Sequence, residues 1–386
     1  MNYNNRFFRF VLFSIFFFNT SLFSQQTYQD WLQQQQTAFQ LFSDEQNNYN
    51  NDTTIAYQNY LNQQKTLFED YKNEIEQKWD NYQGNTQNTH VDYDKDLNAR
   101  GSVDFEEGKV EVEVLVEDDP KTTSADKQQA GENKLEKKIA QVVSSKADDN
   151  KPLLENQLVT DQGDKVTEKN ATAYAQQIVN ERPIKKKIIK SKDGKTRVKY
   201  SVTISMLPDH LETRAKRFKN NVVDQSKRFG IDPAMVLAIM HTESSFNPRA
   251  RSPVPAYGLM QLVPKSGARD AYLYVYKKDK LLTADYLYNP NNNIELGCAY
   301  IKKLRSVYFK NISNDLSAAY CTIAAYNTGP GNLAKAIIGG KKLTPAIKEI
   351  NSLTPSELYK KLIKDLPYKE SRVYLSTVTD RVKIYQ

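Results

Sequence analysis

An α+β N-terminal domain of helices plus two β-hairpins, followed by an all-α domain, is the fold class that the sequence predicts. Three observations carry it. Two stretches between Val103 and Ile204 alternate apolar and polar residues around turn residues, with helical segments between them. Beyond Met206-Leu207-Pro208 the apolar residues recur at helical spacing to the C-terminus. At 386 residues the chain is long enough to bury two cores. No internal repeat is visible.

The expected organisation runs in three parts. Residues 1–24 read as a secretory signal. Arg6 and Arg9 form a positive start, Phe10 to Phe18 an apolar run, and Asn19 to Ser24 a polar, small-residue tail with cleavage after Ser24. The run is too short for a membrane span, although bulky Leu22 leaves an uncleaved anchor open. Residues 25–206 form the α+β domain. Its start is rich in Gln and Asn, yet Tyr57, Tyr60, Leu61, Phe68, Tyr71, Ile75, Trp79 and Tyr82 recur mostly at helical spacing. That pattern predicts one or two amphipathic helices, with the stripe as core rather than a sugar platform.

Val103 to Val116 predicts a hairpin with one buried face, turning at Glu106-Glu107-Gly108-Lys109. Helices are expected from about Ala125 to Lys146 and near Val166 to Asn180. Ile184 to Ile189 and Thr196 to Ile204 make the second hairpin around Asp193-Gly194. Lys185, Lys186 and Lys187 read as a solvated strand face. Residues 207–386 form the helical domain, with loops expected at Gly230, Arg249 to Ala256, Asn289 to Asn293 and Thr328 to Asn332. Leu296 to Leu304 and Leu316 to Ala325 read as buried helices.

Composition narrows the function classes. A mean hydropathy of −0.69 describes a polar, soluble chain. The net charge of +8 suits an acidic partner. No basic helix with a DNA-reading pattern and no RNA-binding aromatic signature is present, so nucleic acid is not expected. Cys298 and Cys321 are the two cysteines; a bridge and a pair of core thiols are both open. No cluster has metal-ligand spacing, and no cofactor is expected.

The strongest chemical signal lies between Ala234 and Gln261. Asp232-Pro233 starts a helix, with Asp as N-cap and Pro at the first helical position. Ala234 to Met240 is apolar on every side, and Pro248 limits the length. Glu243 then falls in the last turn of a core helix. A carboxyl there is costly to ionise, which raises its pKa and suits it to giving and retaking a proton. A lone glutamate at a helix end is usually just solvated; its neighbours reverse that expectation. His241 points to another face and reads as structural.

Three segments in order, and a fourth, resemble one family. They are Glu243-Ser244-Ser245-Phe246-Asn247-Pro248 with Ser252-Pro253; Tyr257-Gly258-Leu259-Met260-Gln261-Leu262-Val263-Pro264; Ala324-Ala325-Tyr326-Asn327-Thr328-Gly329-Pro330-Gly331; and Leu366-Pro367-Tyr368-Lys369-Glu370-Ser371-Arg372-Val373-Tyr374. Together they resemble the catalytic domain shared by soluble lytic murein transglycosylases and goose-type lysozymes, across about half of the chain. Ser371 departs from the family's usual threonine. Asn98 to Phe105, with Gly108 and Val110 to Val114, resembles the N-terminal domain of membrane-bound lytic transglycosylase C.

The resemblance implies an all-α lysozyme-like catalytic domain and a peptidoglycan lytic exotransglycosylase, a carbon–oxygen lyase. Glu243 is implied as general acid and then base. Ser244, Gly258, Met260, Gln261, Tyr326, Asn327 and Tyr374 are implied as substrate-binding. The partner is the peptidoglycan glycan strand, in the periplasm or cell envelope, and a basic surface also fits peripheral contact with anionic membranes. No cysteine lies near the signal, which departs from the lipoproteins common in this group. Asp270, Asp285 and Asp315 lie outside the motifs and read as surface or capping residues, so no second catalytic carboxylate is evident. Two alternatives stand beside this reading: a hydrolytic muramidase, and a non-catalytic wall-binding scaffold, against which the presence of Glu243 argues. The sequence leaves the oligomeric state open.

Overall fold

The computed structural model describes residues 52–252 and 256–386. The expected signal at 1–24 and the tract from 25 to 51 lie outside the described residues. The first element is helix α1 (Asp52–Lys78). Strands β1 (Thr89–Tyr93), β2 (Ala99–Asp104) and β3 (Lys109–Glu117) follow, then helices α2 (Ser124–Val143) and α3 (Ala171–Glu181), then β4 (Lys185–Lys190) and β5 (Thr196–Ser205).

Both expected hairpins form, and pairing of β3 with β5 joins them in one antiparallel sheet of order β1-β2-β3-β5-β4. Strand β1 was not expected. Its five residues offer two apolar side chains, Val91 and Tyr93, inside a polar tract, so its periodicity is too short to read.

One sheet face packs on α2 and α3 through Val103, Val112, Tyr200, Leu135, Ile139 and Ile178. The hairpin was expected to bury one face, yet β3 is buried on both from Val112 to Val116. The cover on the second face is the end of α1, where Ile75 and Trp79 meet Val91, Tyr93, Leu115 and Ile189. Tyr71, Ile75, Trp79 and Tyr82 of the aromatic stripe are therefore core. This face also holds a buried ion pair: Arg100 Nε donates to Glu113 Oε2 at 2.5 Å and its guanidinium lies 4.3 Å from the Trp79 ring. Such a pair is tolerated because its polar atoms are all met. Lys185, Lys186 and Lys187 are exposed, as a solvated edge strand requires.

From His210 onward the regular elements among the described residues are helices: α4 (His210–Phe229), α5 (Pro233–Ser244), α6 (Arg269–Tyr276), α7 (Ala284–Tyr288), α8 (Pro290–Lys303), α9 (Asp315–Thr328), α10 (Pro330–Ile338), α11 (Leu343–Ser352), α12 (Pro355–Asp365) and α13 (Lys369–Tyr385). Pro264–Ala268 and Leu304–Tyr308 are π-helical turns. Two of the expected loops are shorter than read. Asn289 caps α8 by accepting from the Asn291 and Asn292 amides, so Asn291 to Asn293 are helical. Of the loop expected at Thr328 to Asn332, only Gly329, at φ 83°, separates α9 from α10. Asn and Gly read as loop residues, but here they serve as caps. The helical core is centred on α5, which packs most extensively against α13.

Candidate active site

Helix α5 forms as its sequence dictates. The Asp232 carboxylate accepts from the Ala234 amide at 2.9 Å, and Pro233 occupies the first turn. Val236, Ala238, Ile239 and Met240 are fully buried, so the helix is surrounded on all sides. Glu243 sits in its last turn and is 7% exposed. Burial pushes its carboxyl up to about 8; the Tyr374 hydroxyl opposes that rise, and Glu370 adds to it. The Tyr374 hydroxyl is buried and makes no formed hydrogen bond among the described residues.

The fold brings all four sequence segments together. The Ser244 hydroxyl donates to the Leu259 carbonyl at 2.8 Å and to Met240 at 3.1 Å. The Tyr326 hydroxyl donates to the Met260 carbonyl at 2.8 Å, and its ring meets Tyr300 at 5.5 Å. Burial and the nearby Glu243 carboxyl hold the Tyr326 and Tyr374 hydroxyls well above the ordinary tyrosine range. The Ser371 hydroxyl donates to Asn327 Oδ1 at 2.7 Å, which joins the third segment to the fourth. Serine in place of the family's threonine keeps that donor.

Four residues expected against the saccharide differ from that expectation in their surroundings. Ser244 and Met260 are wholly buried, and the Ser244 hydroxyl is spent on two carbonyls. Gln261, 7% exposed, donates its amide to the Ala250 and Gly258 carbonyls. Gly258 has φ +74°, and a Cβ there would fall 2.4 Å from the Leu287 carbonyl oxygen and 2.4 Å from Asn293 Nδ2. The close approach needing glycine is therefore to the protein's own backbone. Gly258→Ala should cost about 2–3 kcal/mol through strain and overpacking. Urea denaturation checks it; an unchanged midpoint would refute the argument.

Three residues act here to which the sequence reading gave no role. Asn293, fully buried on α8, accepts from the Met260 amide at 2.8 Å and donates to the Tyr257 and Leu287 carbonyls at 2.9 and 2.6 Å. It holds the second segment in shape from a position read as loop. Ser371 orients Asn327. Glu370, exposed at the start of α13, is the other carboxylate acting on Glu243. Asp270 pairs with Lys303 at 3.1 Å and Asp315 with Arg305 at 2.9 Å, both in first turns of helices. Asp285, also in a first turn, is half-buried, and desolvation followed by repulsion from Asp148 raises its pKa to about 6.

His241 is buried, stacked on Phe246 at 5.5 Å, with Nδ1 2.9 Å from the Tyr385 hydroxyl. Desolvation, then the nearby Arg381, lowers its pKa to about 4. Cys298 and Cys321 are free, buried thiols, both raised by burial, which leaves them inert core groups. Among the described residues no group of His, Cys, Asp and Glu could hold a metal ion. A protonated carboxyl beside two tyrosine hydroxyls can donate a proton, and a neighbouring amide can hold a polar substrate group.

Two family models match. The one described as the transglycosylase SLT domain covers residues 220–346. The one described as the N-terminal domain of membrane-bound lytic murein transglycosylase C covers residues 42–217. Among curated proteins, the membrane-bound lytic murein transglycosylase C of Klebsiella pneumoniae subsp. pneumoniae is 33% identical over 313 residues, covering 77% of this chain and 81% of the relative. The protein of that name from Cronobacter sakazakii is 32% identical over 306 residues, with the same shares. Among solved structures, an inactive variant of the lytic transglycosylase Slt from Pseudomonas aeruginosa is 28% identical with a TM-score of 0.33, over 43% of this chain and 23% of that one.

Proposed function

Since the chain belongs to the membrane-bound lytic murein transglycosylase C family, we propose that it cleaves peptidoglycan glycan strands between N-acetylmuramic acid and N-acetylglucosamine without water. The observation that carries this reading is Glu243: a buried carboxyl at the end of an apolar helix, with its pKa raised to about 8. At neutral pH it is mostly protonated and can act first as an acid.

In the first step Glu243 gives its proton to the glycosidic oxygen as the bond to muramoyl C1 breaks. The muramoyl N-acetyl oxygen stabilises C1 from the opposite face. Glu243, now ionised, takes the proton from the muramoyl C6 hydroxyl as that oxygen bonds to C1. The product is a 1,6-anhydromuramoyl end, and Glu243 returns to its acid form. Tyr374 steadies the ionised carboxylate between the steps. Asn327, oriented by Ser371, holds the N-acetyl group. Ser244, Gly258, Met260 and Gln261 serve as the framework beneath the sugar. Tyr326 ties that framework to α9.

Glu370 favours one second reading, a hydrolytic muramidase in which it activates water. Products from peptidoglycan digested by wild type and Glu370→Gln separate the two. Anhydro ends from both support the lytic reading; water-added ends, lost with Glu370→Gln, support the hydrolytic one. Release of small products before the mean strand length falls would indicate the exo mode.

The first step needs the acid form, so kcat/KM should hold from about pH 6 to 7.5 and fall about tenfold per unit above pH 8. Turbidity clearing of isolated sacculi from pH 5 to 9.5 measures this. A rate that instead rises through pH 8 would remove Glu243 as the acid. Among the described residues no helix is long and apolar enough to cross a membrane. Export to the cell envelope, with the basic surface against anionic lipid, fits the substrate and the name of the relatives. The proposed division is a signal at 1–24, the α+β domain at 25–206 and the catalytic domain at 207–386.

A further inference from the structure

Ser245 follows α5 directly, at φ 49° and ψ 37°, and Phe246 follows it at φ 61°. Two successive non-glycine residues in the left-handed region persist only where their surroundings hold them. Ser245 is fully buried and every polar group it has is engaged. Its N–H donates to the His241 carbonyl at 3.0 Å, and its carbonyl accepts from Arg214 Nε at 3.0 Å. Its hydroxyl donates to Glu106 Oε2.

Glu106 does not belong to the helical domain. It lies in the turn between β2 and β3, where Asp104 Oδ1 accepts from the Glu106 and Glu107 amides at 3.0 and 2.9 Å. Its second oxygen accepts from Arg381 Nη2 on α13 at 2.5 Å. Arg381 also donates to the Thr242 hydroxyl at 3.3 Å. His241 Nε2 is 3.8 Å from Oε2, beyond hydrogen-bond range. One carboxylate of the α+β domain thus grips two elements at once: the end of α5, which carries Glu243, and α13, which carries Tyr374 and Ser371.

We propose that Glu106 is a positioning residue supplied by the N-terminal domain, fixing the end of α5 against α13 so that Glu243 and Tyr374 keep their mutual placement. The proposal rests on the reading of Glu243 as acid and base. Glu106 touches no reacting atom and acts through Ser245 and Arg381. The N-terminal domain is by this account part of the active-site framework.

The test uses the full chain as wild type, Glu106→Ala, Glu106→Gln and Glu243→Gln, with soluble glycan strands as substrate and anhydromuramoyl ends as readout. Glu106→Ala should lower kcat roughly tenfold to a hundredfold, with KM changed less than about twofold, because misplacement of the acid weakens the transition state and not substrate binding. Its melting temperature should fall by a few degrees, because the buried Ser245 hydroxyl loses its acceptor, with the chain still folded at the assay temperature. Glu106→Gln keeps one acceptor oxygen for Arg381, while its amide can donate to the Ser245 hydroxyl, which can rotate to accept, so the variant should recover much of the loss. An unchanged kcat in Glu106→Ala overturns the proposal. So does a loss that follows melting temperature and is not relieved by Gln. Failure of the functional reading shows separately, as no product from wild type or as product from Glu243→Gln.

Discussion

Glu243→Gln should reduce anhydromuramoyl product by about a thousandfold or more, since a proton donor and acceptor at the reacting bond is worth 10²–10⁴ and both steps depend on it. The side chain keeps its shape, so the fold should survive. Mass spectrometry of digested peptidoglycan measures the effect; products from the variant within tenfold of wild type would end the assignment.

The same variant carries a stability signature. Burial raises the Glu243 pKa in the folded chain to about 8, above its ordinary carboxylate value of 4.5. The stability of the neutral, buried carboxyl is therefore fully present below about pH 4.5, and it is lost as pH rises toward and through 8. Glutamine cannot ionise. Glu243→Gln should match wild type near pH 4 and melt several degrees, roughly 5 °C, higher at pH 9. A difference that is the same at both ends would show that Glu243 is not desolvated.

Arg214→Met should be the most destabilising single change at the domain seam. Arg214 is 2% exposed on α4, and four groups surround its guanidinium. Nε donates to the Ser245 carbonyl at 3.0 Å, Nη2 to the Phe105 carbonyl and Nη1 to Gln157 Oε1, with His210 Nδ1 3.1 Å from Nη2. Burial lowers its pKa to about 9, with Glu106 opposing that fall, so it stays charged at neutral pH. Methionine fills much of the volume but leaves two buried carbonyls and an amide oxygen without donors, and Glu106 with one fewer compensating charge. The cost should be about 3–5 kcal/mol. Because Phe105 and Gln157 belong to one domain and Ser245 to the other, calorimetry should show two transitions in place of one. A single transition at the wild-type temperature would refute this.

Much of the molecule was legible from local pattern. The cap at Asp232, Pro233 and the unbroken apolar run declared α5 and placed Glu243 in its last turn. Alternation declared both hairpins, and α2 begins within one residue of its expected start. Errors fell where residue type is ambiguous. Asn293 and Gly329 resemble loop residues, yet one supports the Gly258–Gln261 segment from inside a helix and the other is a one-residue break. Ser244 and Met260 stood in the right motif, but only packing shows that one hydroxyl is spent on carbonyls and the other side chain is enclosed.

The sequence by itself determined most of the elements, the family and the position proposed for the acid, because helix caps, periodicity and motif spacing are local properties of the chain. The tertiary structure alone decided which atoms face Glu243, that Ser371 reaches Asn327 across 44 positions, and that Glu106 reaches Ser245 across 139. Desolvation and hydrogen bonding are set by whatever lies within a few ångströms of a group, and no local pattern in the chain encodes which distant residue that will be.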